Sequence, residues 1–323
     1  MNGRRDWAGR ADWLRVRGAA SIVADHSAKG EATMAEAETD FAEQAADFGA
    51  NWVGPYELSE ELRPRIEELG LMDAVEHFRE HGYALIREAG PPSLMDELRE
   101  AIHMYAKVRD KAGGMAGAPM LLGKHPAVDK VATLPKIMAF GEFACGKAMR
   151  VGRIVGSIKR KGQGGPGVHS DSNWMPIPLP EHNLLATFCV ACEGMTEEGG
   201  ATMVVPGSHR LRRPPSPEEA QSAKTVCIEA EKGDIAVWDG AIWHGSPERK
   251  IDGTRTVLHA TYQRLYTQPI DDFRYLLEDE EYMANAPEGM RQLLGAELFF
   301  HTAKGETDTD MTKFAYAMEA SKV

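Results

Sequence analysis

The sequence predicts a mainly β fold, a sandwich or barrel, with flanking helices. Two observations carry the prediction. Between about residues 150 and 270, short runs rich in Val, Ile and Thr are separated by Gly, Pro and Asp turns, the pattern of many short strands. On either side, apolar residues recur at helical spacing instead. There is no internal repeat. Three segments are expected: residues 1–70 as a helical or irregular arm, 71–275 as a β domain with supporting helices, and 276–323 as a helical tail on the same domain.

The elements follow in order. EATMAEAETDFAEQAAD (31–47) is acidic and Ala-rich and suggests an exposed helix. NWVGPYELSEELRPRIEELG reads as a loop and short helix broken by prolines. In LMDAVEHFREHGYALI, Leu71, Ala74, Val75 and Phe78 share one helix face. Gly82 ends that helix and YALI starts a strand. PSLMDELREAIHMYAKVRD is a second amphipathic helix. The strand candidates are GRIVGSIKRK, NLLATFCVACE, ATMVVPGS, KTVCIEAEKGD, IAVWDG and TRTVLHATYQR. DDFRYLLEDEEYMANAPEGMRQLLGAEL returns to helix.

Composition narrows the function classes. The chain has 323 residues, 43% hydrophobic and 27% charged, which suits a soluble globular protein. A net charge of −12 argues against a nucleic-acid partner. No segment approaches the roughly eighteen uncharged apolar residues of a membrane span. The first residues carry arginines but no apolar stretch, which reads against a secretory signal. Four cysteines are too few for a disulfide scaffold, so a reducing cytoplasm is expected. Cys189 and Cys192 form a CxxC, but on a strand they point to opposite faces and cannot share a metal. His77 and His81 lie four apart on a helix, yet Phe78 stands where a zinc protease needs Glu; they read as two histidines on a helix flank. The run Lys159-Arg160-Lys161 reads as a solvated strand end, with contact to an anionic substrate group as the sharper alternative.

Three pieces of the β region carry chemistry. The first is His169-Ser170-Asp171, where alternation on an extended chain turns both ligand types to one side. The second is His244, after a strand and the Asp239-Gly240 turn, beside Gly245, which permits close backbone approach. The third is Arg255, eleven residues further on; a buried arginine needs an anionic partner, and its fork matches a carboxylate. Two imidazoles and one carboxylate on a β scaffold form the facial triad of non-haem iron(II) oxygenases.

With these residues the chain resembles the phytanoyl-CoA dioxygenase family of iron(II)/2-oxoglutarate oxygenases. The resemblance rests on VEHFREHGYALI, the HSD triplet, EEGGATMVVPGSHR, GDIAVWDGAIWHGS and Arg255, in family order over about residues 71–265. It implies a double-stranded β-helix, the cupin-like jelly roll. It implies His169, Asp171 and His244 as iron ligands, Arg255 and Thr202 on 2-oxoglutarate, and Ser246 as a cosubstrate or substrate contact. It implies dioxygen as oxidant, release of succinate and CO2, and hydroxylation of a small organic substrate. One position departs from the family: Gly167 stands where several members have a cosubstrate-binding glutamine, with Gln163 as a candidate replacement. The retained Asp171 disfavours a halogenase, which has a small residue there. His259 shares the Arg255 side of its strand and reads as a hydrogen-bonded core histidine, with pocket lining as the alternative. Trp174 and Trp243 flank the ligand segments, as substrate wall or as packing. Two other readings stay open: a zinc or manganese hydrolase or isomerase on the same ligands, and a non-catalytic ligand-binding barrel. The oligomeric state is not legible.

Overall fold

The computed structural model describes residues 54–108 and 115–296. The expected acidic helix at 31–47 and the end of the tail lie outside the described residues. A seven-stranded antiparallel sheet forms the backbone of the fold. Its strands are β1 (Tyr83–Ile86), β2 (Lys107–Val108), β3 (Ala116–Pro119), β4 (Arg150–Arg160), β5 (Leu185–Ala191), β8 (Ile235–Asp239) and β10 (Thr254–Gln263), in the order β1-β8-β5-β10-β4-β3-β2. A small second sheet has the order β7-β6-β9, from β6 (Met203–Val204), β7 (Val226–Cys227) and β9 (His244–Gly245). This is the expected jelly roll with flanking helices.

Strand alternation divides the interior in two. Ala186, Phe188 and Val190 of β5, Ile235 and Val237 of β8, and Leu258, Ala260 and Tyr262 of β10 face the helices, in the larger core. Their neighbours Cys189, Ala191, Ala236, Trp238 and Val257 face the small sheet. Cys192, just past β5, belongs to the helix-side core, so the CxxC sulfurs sit in separate clusters, as strand geometry requires. The helices are α1 (Arg63–Glu68), α2 (Met72–His81), α3 (Pro92–Tyr105), α4 (Pro126–Ala132) and α5 (Pro135–Cys145), then the short α6 (Pro217–Ser222), α7 (Glu280–Asn285) and α8 (Met290–Leu293). Gly82 caps α2 in the left-handed conformation. None of the described helices is long and apolar enough to cross a membrane.

Two expectations change. The segment before residue 70 is not wholly peripheral: Leu58, Leu62 and Ile66 are buried in the larger core. Ile66 lies on α1, Leu62 caps it, and Leu58 precedes it in irregular chain, so no single periodicity in the sequence marks the three as buried. The basic run also splits. Lys159 is buried at 1% exposure, whereas Arg160 and Lys161 are exposed, because only Lys159 points inward from β4. His77 and His81 lie tilted against each other at 4.4 Å between ring centroids, and His77 packs edge-on with Tyr83; they are helix-flank packing. Leu276, Met290, Leu293 and Leu294 of the tail are buried in the larger core.

Candidate active site

The metal-ligand candidates come from two chain segments joined by backbone bonds. His169 and His244 exchange N–H···O bonds of 2.9 and 2.8 Å as an isolated antiparallel bridge. Gly240 accepts from the Ser170 hydroxyl at 2.8 Å and from the Ser172 amide at 2.9 Å. Those bonds fix the turn that carries Asp171. Among the described residues, His169, Asp171 and His244 are the one group of three or more His, Cys, Asp or Glu with metal-ligand spacing, their ligand atoms within 4.8 Å of one another.

The donor orientation is specific. His169 Nδ1 lies 2.8 Å from the Gly167 carbonyl, and His244 Nδ1 lies 3.3 Å from the Ile242 carbonyl. Each carbonyl requires an N–H at Nδ1, which leaves Nε2 of both rings with a lone pair. Both Nε2 atoms face Asp171 Oδ1, at 3.8 and 3.5 Å. The other oxygen, Oδ2, accepts from Trp238 Nε1 at 3.0 Å and Thr187 Oγ1 at 2.9 Å. With both rings in that neutral tautomer, three lone-pair donors converge on one point, an arrangement that a cation stabilises. Burial pushes the Asp171 carboxyl up, but the charge that His244 or His169 carries when protonated, together with the Trp238 and Thr187 bonds, outweighs it and holds the acid below its usual range. Burial lowers His244, keeping its imidazole neutral as a ligand must be.

Arg255 lies in the same cavity of about 250 Å³, with Thr202, Ser246, His259 and the triad in its walls. It is 3% exposed. Among the described residues its guanidinium meets no carboxylate. It reaches Thr202 Oγ1 at 3.2 Å, Met195 Sδ at 3.4 Å, Ser246 Oγ at 3.5 Å and Cys189 Sγ at 3.7 Å. A buried cation with only neutral contacts fits an anionic ligand.

Several weighed residues resolve differently. His259 lines the cavity with Trp238 edge-on at 6.1 Å, so the core-histidine preference fails. Burial and the neighbouring Arg255 push it down to about 3, so it is neutral. Trp243 packs elsewhere, donating to the Arg213 carbonyl at 2.8 Å under that residue's guanidinium. Trp174 is exposed, and neither lines the cavity. Gln163 turns to the end of β4, accepting from the Arg160 amide at 2.9 Å, and it is absent from the cavity wall. Gly167 has open space where a side chain would begin. The sequence reading missed Trp238 and Thr187. Alternation on β8 and β5 marks both as inward-facing, which is the signal that could have found them.

The family's sequence profile, Phytanoyl-CoA dioxygenase, matches residues 78–257. The chain belongs to the phytanoyl-CoA dioxygenase family. It is thus an iron(II)/2-oxoglutarate-dependent oxygenase by class. Dioxygenase af480 of Aspergillus fumigatus is 26% identical over 257 residues, covering 74% of this chain and 81% of that protein. Dioxygenase olcK of Penicillium canescens is 29% identical over 141 residues, covering 40% of this chain and 45% of that one. Two solved structures share the fold. HygX from Streptomyces hygroscopicus, with nickel, 2-oxoglutarate and hygromycin B bound, has a TM-score of 0.53 at 15% identity, covering 61% of this chain and 89% of that one. The non-haem α-ketoglutarate-dependent carbocyclase SnoK of nogalamycin biosynthesis has a TM-score of 0.52 at 18% identity, covering 69% and 93%.

Proposed function

We propose that this dioxygenase holds iron(II) through His169, Asp171 and His244 and receives the distal carboxylate of 2-oxoglutarate on Arg255, Thr202 and Ser246, hydroxylating a small organic substrate. The observation that carries the reading is the pairing of two sites in one cavity: three converging lone-pair donors, and a buried guanidinium without an acid. A metal hydrolase on the same ligands would leave Arg255 buried with nothing to bind. The relatives named above support a small-molecule substrate. HygX binds hygromycin B, and SnoK acts in nogalamycin biosynthesis.

The residues divide the work. Bound iron(II) would supply oxidative decarboxylation of 2-oxoglutarate with dioxygen and oxidation of the substrate. Gly167 and Ile242 hold the imidazoles in the ligating tautomer. Trp238 and Thr187 hold Oδ2 of Asp171 and so aim Oδ1 at the two Nε2 atoms. Arg255 and Thr202 fix the far end of the cosubstrate, which sets its orientation. His259, neutral, and the inner face of β4 line the space left for substrate.

Anaerobic addition of iron(II) and 2-oxoglutarate should give a weak visible charge-transfer band, abolished in His169→Ala and Asp171→Ala. A folded protein without the band would reject the assignment. Substrate-stimulated succinate release across a metabolite panel would then identify the substrate.

A further inference from the structure

The cavity's cation has an unexpected neighbour. Lys159 on β4 is directly opposite Arg255 on β10 in the sheet register. Like charges directly opposed across a ladder are destabilising, and among the described residues no carboxylate separates them. Lys159 is buried, and its Nζ has three acceptors: Ser246 Oγ at 2.6 Å, the Pro247 carbonyl at 2.7 Å and the Gly200 carbonyl at 3.1 Å. Ser246 Oγ is also 3.5 Å from the Arg255 guanidinium. The serine hydroxyl thus stands between the lysine and the cavity.

The geometry points to Lys159 as a positioning residue that acts through Ser246: it takes up one proton when the cosubstrate carboxylate binds, turning the serine hydroxyl from the lysine to the carboxylate. This rests on the reading of Arg255 given above. The hydrogen-bond inventory explains the coupling. A neutral amine donates twice and accepts once, so it serves the two carbonyls and accepts the Ser246 proton. An ammonium donates three times, so Ser246 becomes its acceptor and must send its own proton elsewhere. A carboxylate on Arg255 is the acceptor then within reach. The added proton comes from solvent, and the added negative charge balances it.

The ionisable groups around Nζ are Arg255, Cys189, Arg249 and Cys227. Burial raises both thiols, which stay neutral near pH 7. Arg249 spends its guanidinium on the Gly199 and Asp252 carbonyls at 3.2 and 2.6 Å. Burial, and then Arg255, pushes Lys159 down to about 7. The sign follows. Without cosubstrate the lysine is protonated below that value and neutral above it. The carboxylate raises it, so affinity falls as pH rises past about 7, roughly tenfold per unit until the bound-state value is reached.

The test is calorimetry of 2-oxoglutarate binding to the nickel-loaded full chain, in HEPES and Tris, which differ in ionisation enthalpy. Near pH 6 no net proton uptake is expected; at about pH 8.5 uptake should approach one proton per cosubstrate. Lys159→Met should bind without uptake and with an affinity that is flat across this range. Should Lys159→Met fail to fold by circular dichroism, Ser246→Ala serves instead, with a smaller uptake expected than in the wild type because the bound ammonium loses one of its three acceptors. Wild-type binding without uptake overturns the relay alone, as does uptake that persists in Lys159→Met or is undiminished in Ser246→Ala. Absence of binding at every pH overturns the reading of the cavity, and the relay with it.

Discussion

Arg255 and Trp238 contribute in different ways, and their substitutions should separate. Arg255 is a buried cation with neutral contacts, so its loss removes the charge that an incoming carboxylate needs. Truncating one member of a buried charged pair costs about 2–5 kcal/mol. Arg255→Ala should therefore weaken 2-oxoglutarate by ~30-fold or more while the metal still binds; unchanged cosubstrate affinity would remove its assigned role. Trp238 touches the ligand carboxylate from behind. Trp238→Phe keeps the ring and deletes the N–H to Asp171 Oδ2. Loss of such a supporting bond costs about 10–100-fold in metal affinity, so equilibrium dialysis should show weaker metal binding with the ligand set intact. The two residues also differ in legibility. Arg255 is found from spacing to His244. Trp238 is one aromatic in an apolar run, and only the strand register puts its N–H under Asp171.

At the level of elements, strand alternation explains both what was readable and what was not. β10 presents Arg255, Val257, His259 and Thr261 on one side, as that rule requires. The same rule applied to β4 puts Lys159 inward, but a run of three basic residues reads as a solvated end. The charge pattern masked the period-2 pattern. His259 reads as core from the sequence because histidines on inward faces usually find a partner; here the cavity replaces one. Gly245 follows from β9 geometry. A side chain there would meet Met203 Cε at 2.7 Å, the far end of a flexible side chain, and the Gly167 backbone at 3.2 Å, and Gly167 is the residue whose carbonyl orients His169. Gly245→Ala should shift that carbonyl and lower metal affinity by about tenfold, the small end of the range for a lost orienting bond, with little change in the unfolding midpoint. A large drop in stability with normal metal binding would mean that Gly245 serves packing alone.

Over the whole molecule, the expected domain limit at residue 70 separates pieces that pack together. Leu58, Leu62 and Ile66 lie in the core formed by α2, α5 and the helix-facing side of the large sheet. Tyr56 donates to Asp239, and Arg212 donates to the Tyr56 oxygen at 2.9 Å. Asp239 adjoins Gly240, whose carbonyl holds the turn carrying Asp171. This segment therefore supports the interior and also the chain next to the candidate ligands. Its burial is not legible in a loop and short helix broken by prolines, because local composition does not report a long-range contact. Each buried Leu or Ile contributes about 1.5–3 kcal/mol, so three of them rival the roughly 5–15 kcal/mol stability of a whole domain. Compared with a chain beginning at residue 54, one beginning at residue 71 should lose cooperative thermal unfolding and the iron(II)/2-oxoglutarate charge-transfer band together. Retention of a sharp transition at an unchanged midpoint would show that these contacts add nothing to the fold. A retained transition without the band would confine their effect to the Asp239–Gly240 support of the site.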